Sequence, residues 1–178
     1  MMQILWVILI YFITGFTGNS SKRNLIRQKR NINFSRFKSA MAPFLIGLGG
    51  VMTADWLSEG NPLWPALGLA SGVAGALYPL WDRSGGGLKA GLAVYCGGIF
   101  YLIPVIAVIG LVFAMETLVL SKDRVLTAIL FSSLLPILFG FSQTNPTFFW
   151  VAVVIQLFFL IILHNDIKSR IRTFFNPD

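Results

Sequence analysis

The chain has 178 residues, 56% hydrophobic and only 12% charged, about half the charged fraction that keeps a soluble domain wetted. That balance excludes an ordinary soluble globular domain. The net charge of +7 would suit a nucleic acid, but the charges fall in short gaps between long apolar runs, where they orient membrane helices and meet anionic headgroups; no nucleic-acid partner is expected.

The apolar runs come in chain order as Met1–Gly18, Ser39–Leu57, Leu63–Trp81, Gly87–Phe100, Leu102–Val119, Val125–Phe141 and Phe148–His164. Each is near the length that crosses a bilayer as a helix, with few or no charges inside it. The first has the length of a signal peptide. It lacks a basic segment ahead of it and a small-x-small cleavage site, so it reads as a retained helix. The fourth is short and glycine-containing. A break is expected near Gly97-Gly98 and Pro104, and six spans result if this run is re-entrant. The fold class is therefore all-α, a polytopic membrane helix bundle of about seven transmembrane helices, with residues 1–178 forming a single transmembrane domain. The stretches Gly47–Gly50 and Gly68–Gly75 supply small residues that let such helices approach closely. No internal repeat of the duplicated-transporter kind is evident.

The basic residues then orient the bundle. Lys22, Arg23, Arg27, Lys29, Arg30, Arg36, Lys38, Arg83, Lys89, Lys122, Arg124, Lys168, Arg170 and Arg172 lie in, or within a few residues of, the alternate connections 19–38, 82–86 and 120–124 and the tail after His164. The other connections, near Ser58–Pro62, Tyr101 and Ser142–Thr147, carry neither Lys nor Arg; the acids Asp55 and Glu59 lie there instead. The positive-inside rule then predicts an N-terminus outside and a C-terminus in the cytoplasm. The lone cysteine, Cys96, lies inside an apolar run as a small packing residue and has no disulfide partner.

Four features on the basic side can carry chemistry. Asp82–Lys89 holds three consecutive glycines, Gly85, Gly86 and Gly87, ahead of a helix start. Such a backbone can turn several N–H groups toward a phosphate, with Ser84 beside them and Lys89 or Arg83 as a mobile charge; the plain alternative is a flexible hairpin whose charges set topology. Asn31, Asn33 and Arg36 close the long basic stretch and suit an anionic headgroup, or simply a lipid surface. His164, Asn165, Asp166 and Lys168 end the last span. A histidine near an acid suggests proton transfer, although positions two apart do not face each other on a helix. Lys122-Asp123-Arg124 is a short turn whose charges can pair among themselves. One histidine and one cysteine build no zinc site, and no cofactor or metal is implied.

In combination these features resemble the bacterial acyl-phosphate:glycerol-3-phosphate acyltransferases, the PlsY family of small seven-span membrane enzymes. Gly75-Ala76-Leu77-Tyr78-Pro79, followed by Gly86-Gly87-Leu88-Lys89, is similar to that family's Gly-His-aliphatic-aromatic-Pro and Gly-Gly-Lys-Gly motifs at the same spacing. Asn165-Asp166-Ile167-Lys168 looks like its Glu-Asn-Ile-Lys-Arg motif, and Asn31–Arg36 like the tail of its first motif. Ala76 stands where the family has histidine, Leu88 where it has lysine, and Asp166 where it has asparagine; the Ser-Gly-Asn core of the first motif is absent, and a serine of the fifth-to-sixth loop falls on Arg124.

The resemblance implies acyl transfer from acyl phosphate to glycerol 3-phosphate in phospholipid synthesis, at the inner or plasma membrane. Together with the residue reading, it puts Lys89, Arg36 and His164 forward for catalysis, His164 having the alternative of a polar anchor at the membrane interface, and Asn31, Asn33, Ser84, Gly85, Gly86, Gly87, Asn165 and Arg124 for phosphate or substrate binding. Membrane lipids and the two substrates would be its ligands. The replaced residues leave open a family member without activity that serves as a structural or assembly subunit of a larger membrane complex, and, further off, a small transporter or channel.

Overall fold

A computed structural model describes residues 2–27, 32–78, 87–121, 124–142 and 145–175, with side chains at 2–16, 41–78, 87–117, 119–121, 126–142, 145–164 and 168. The described residues form seven helices and no strand: α1 (Met2–Arg27), α2 (Ile32–Trp56), α3 (Leu63–Leu77), α4 (Leu88–Leu102), α5 (Pro104–Ser121), α6 (Arg124–Phe141) and α7 (Pro146–Phe175). Two stretches, Pro104–Ser121 and Pro146–His164, are long and apolar enough to cross a membrane by themselves, at mean hydropathies of 2.1 and 2.4. The apolar parts of the others are shorter. Helices α3 and α4, at 15 residues each, reach about 22 Å.

Boundaries depart from the sequence expectation in three places. No break occurs at Gly97-Gly98: α4 runs through both to Leu102, and only Ile103 separates it from α5. Pro104 opens α5, where its missing N–H costs nothing. At the basic end, α1, α2 and α7 continue as helix to Arg27, from Ile32 and to Phe175, through stretches expected as loop and tail. Conversely, α3 stops at Leu77 instead of reaching Trp81. Tyr78 precedes Pro79, whose ring disfavours helical backbone at the residue before it, and Tyr78 leaves the helix at φ −127°, ψ 65°.

Close approaches at glycine set the pairing. A side chain at Gly68 would touch Ile10, one at Gly72 would press on it, and one at Gly75 would collide with the Tyr11 carbonyl and Thr14, so α1 and α3 run side by side in the same direction. Helices α2 and α4 also run parallel: Gly47 faces Val94, Val51 faces Gly98, and the Tyr101 hydroxyl donates to Asp55 Oδ2 at 2.9 Å. Consecutive helices alternate, as Gly110 against Phe131 shows for α5 with α6. The stacked rings of Phe139 and Phe148 and the bond from Gln156 Nε2 to Ser133 Oγ at 2.8 Å show it for α6 with α7. The centre of the bundle is Tyr95, wholly buried among α4, α6 and α7, its ring against Phe131 and Phe159.

The alternation gives the bundle a basic end, where α1 stops and α4 starts, and a charge-poor end. Trp6, Trp56, Trp64 and Trp150, four of the five tryptophans, lie toward the charge-poor end, with Trp56 80% and Trp150 64% exposed. Amphipathic rings collect at that level of a membrane–water interface.

Candidate functional site at the basic end

The α3–α4 corner is the best defined part of the basic end. Its α3 side closes with the Tyr78 N–H donating to the Ala74 carbonyl at 2.7 Å. The Tyr11 hydroxyl, from α1, donates to the Tyr78 carbonyl. The Tyr78 hydroxyl in turn donates to the Phe158 carbonyl of α7 at 3.2 Å, and the two rings meet edge to face at 6.2 Å. Tyr78 thus ties three helices at the residue where α3 ends.

On the α4 side, Gly87 is extended (φ −79°, ψ 113°) and has no side chain with which to cap the helix; the first helical bond runs from Gly91 N to the Gly87 carbonyl at 3.0 Å. Among the described residues no side chain caps this helix start, and the positive end of a helix dipole is the kind of place that favours an anion. Leu77 lies directly over Gly91, which pins the first turn of α4 to the last turn of α3.

The expected site residues separate into groups. Gly87 and Lys89 sit at this corner, Lys89 exposed. Asn31, Ser84, Gly85 and Gly86 lie outside the described residues. Asn33 and Arg36 fall in the first turns of α2, Arg124 opens α6, and Asn165 lies in α7; their side chains are outside the described set. His164 is exposed and continues the outward stripe of Leu157 (52%) and Ile161 (64%), with Lys168 one turn further on. His164 lies six positions after Phe158, so the two side chains point about 120° apart. The structure therefore does not bring His164 to the Tyr78 corner.

Tyr11 and Phe158 were not singled out from sequence, and Tyr78 was noted only as part of a motif. Tyr11 looked like any aromatic in an apolar run, and Phe158 takes part through its carbonyl, which no side-chain pattern encodes.

A family profile described as glycerol-3-phosphate acyltransferase matches residues 17–173. The chain belongs to the glycerol-3-phosphate acyltransferase family. Two crystal structures share its fold, both of PlsY (YgiH), an integral membrane glycerol 3-phosphate acyltransferase. The lysophosphatidic acid form superposes with a TM-score of 0.82 at 16% identity, and the glycerol 3-phosphate form with 0.80 at 17%. Each covers 97% of this chain and 93% of PlsY. At such identity the likeness speaks for the fold, an integral membrane helix bundle. Comparison with proteins of curated function gave no match.

Two residues that the sequence reading set against the family's motif histidine and lysine are placed by the structure. Ala76 is fully buried in the core. Leu88 packs against the same core, while Lys89 is exposed. Neighbours on a helix point about 100° apart, so Lys89 does not occupy the direction of Leu88.

Proposed function

We propose that this protein transfers an acyl group from an acyl phosphate to glycerol 3-phosphate at the inner or plasma membrane, its whole chain acting as one membrane domain with the basic end facing the cytoplasm. The observation that carries this reading is the pinned α3–α4 corner in a chain of the acyltransferase family. It presents a helix N-terminus without a side-chain cap among the described residues, and Lys89, at the end of the bundle where the basic residues gather.

The chemistry asks little of the protein. The substrate hydroxyl attacks the acyl carbonyl, the bond from that carbon to the bridging anhydride oxygen breaks, and the oxygen leaves on inorganic phosphate. The proton lost by the hydroxyl can pass to the departing phosphate, so no protein base is required where Ala76 replaces histidine. What remains is to hold two anions together and neutralise their charge. The α4 N-terminus, Lys89 and Arg36 are suited to that. Asn31, Asn33, Ser84, Gly85, Gly86, Gly87, Asn165 and Arg124 would supply further phosphate contacts, and His164, on the outward face of α7, takes no part in the transfer on this reading.

Purified protein given acyl phosphate and labelled glycerol 3-phosphate should release phosphate and form labelled lysophosphatidate. Lys89→Ala and Arg36→Ala should each slow turnover by about tenfold or more, as loss of a charged contact to a phosphoryl group does. Wild-type rates in both would remove these assignments.

A second reading rests on the apolar burial of Ala76 and the packing of Leu88 against the core. On that reading the chain retains the fold and acts as a structural or assembly subunit of a larger membrane complex. No turnover, together with stoichiometric co-purification in one large species on a native gel, would favour it.

A further inference from the structure

We propose that Tyr11 and Tyr78 are positioning residues that set the affinity of the α3–α4 corner for a phosphate-bearing substrate. The inference rests on the acyltransferase reading and extends it to two residues outside the family's charged motif positions.

Other contacts already join the helices that these hydroxyls link. Helices α1 and α3 already meet backbone to side chain at Gly75, against the Tyr11 carbonyl and Thr14, and Thr14 is itself fully buried. Helices α3 and α7 are joined through the shared core of Val73, Ala76, Leu77, Ile155 and Phe159. The Tyr11 and Tyr78 hydroxyl bonds lie outside that contact, in exposed positions. Both converge on the single residue at which α3 gives way to the glycine-rich connection.

The geometry has a directional consequence. A carbonyl at a helix C-terminus lacks an intrahelical donor and is ordinarily left to water. Here the Tyr11 hydroxyl fixes the Tyr78 carbonyl, and the Tyr78 hydroxyl and ring fix the same residue to α7. Leu77, one residue earlier, rests on Gly91 in the first turn of α4. A rotation at Tyr78 would therefore be transmitted through Leu77 to the α4 N-terminus and to Lys89. Small displacements of binding groups weaken recognition of an anion without unfolding the scaffold.

The test is Tyr11→Phe and Tyr78→Phe in the full chain, each followed by turnover, by direct calorimetric binding of glycerol 3-phosphate, and by thermal unfolding in the same detergent. The expected result is a KM and a dissociation constant raised about fivefold or more in Tyr11→Phe, with kcat and the unfolding midpoint close to wild type. Tyr78→Phe keeps its ring against Phe158 and should show a smaller rise. Unchanged KM and binding in both variants overturns the inference and leaves the acyltransferase reading standing. A fall in unfolding midpoint with unchanged KM assigns the hydroxyls to stability and also overturns it. A wild-type protein that neither turns over nor binds glycerol 3-phosphate removes the acyltransferase reading, and this inference with it.

Discussion

The Tyr95 hydroxyl is wholly buried and has no hydrogen-bond partner among the described residues. A buried donor left unmade costs about 1–3 kcal/mol, whereas the ring itself contributes by packing. The ring contacts with Phe131 and Phe159 would survive in phenylalanine. Tyr95→Phe should therefore raise the unfolding midpoint by about 2–4 °C, the shift that about 1 kcal/mol produces in a chain of this size. A lowered midpoint in detergent would show that the hydroxyl has a partner in the folded protein. Sequence gave no hint of this, because Tyr95 reads as one more aromatic inside an apolar run. Lys89 is the opposite case. Its position one step past Leu88 already implied a side chain turned about 100° away, and the structure has Leu88 against the core and Lys89 exposed.

Among the helices, glycine divides into positions where a helix touches another and positions where it touches nothing. A Cβ on Gly97 would collide with the Phe44 carbonyl and crowd the Leu48 amide of α2, and neither backbone group can turn aside. Gly97→Ala should push α2 and α4 apart and cost about 3 kcal/mol or more, the upper range for overpacking, seen as a loss of folded protein in detergent. Gly49 lies in the same α2 with nothing within 4 Å of its would-be Cβ. Gly49→Ala should be neutral or stabilise by about 0.5–1 kcal/mol, as glycine is a poor helix residue. If both substitutions behave alike, the α2–α4 contact is wrong. Sequence could identify small-residue stretches as packing surfaces but not their partners. The break expected near Gly97-Gly98 and Pro104 falls at Ile103, beside the proline; the glycines themselves do not break the helix. Glycine for close approach and glycine for chain reversal look the same in one dimension. Helix number and order were legible from apolar runs longer than any soluble element needs. The extensions of α1, α2 and α7 beyond those runs were not, because polar helix carries no hydropathy signal.

At the scale of the whole molecule, the number of helices and the orientation form one problem. Seven alternating helices put the two ends of the chain on opposite sides of the membrane, whereas the six-span alternative would put them on the same side. Every Lys and Arg lies in or close to one set of alternate connections, and orientation follows the Lys and Arg of short connections. A C-terminal green fluorescent protein fusion should therefore fluoresce, and an alkaline phosphatase fused at the C-terminus should stay inactive. A phosphatase placed in the connection near Ser142–Thr147 should be active. A reporter at the N-terminus separates the two counts: opposite sides for seven helices, the same side for six. Replacing Lys22, Arg23, Arg27, Lys29 and Arg30 with glutamine should yield a mixed population, since the largest basic cluster would then no longer hold the first connection inside. If the orientation remained uniform, the later clusters around Lys122 and Lys168 would be sufficient to set it, and the proposed cytoplasmic placing of the α3–α4 corner would not depend on the first connection.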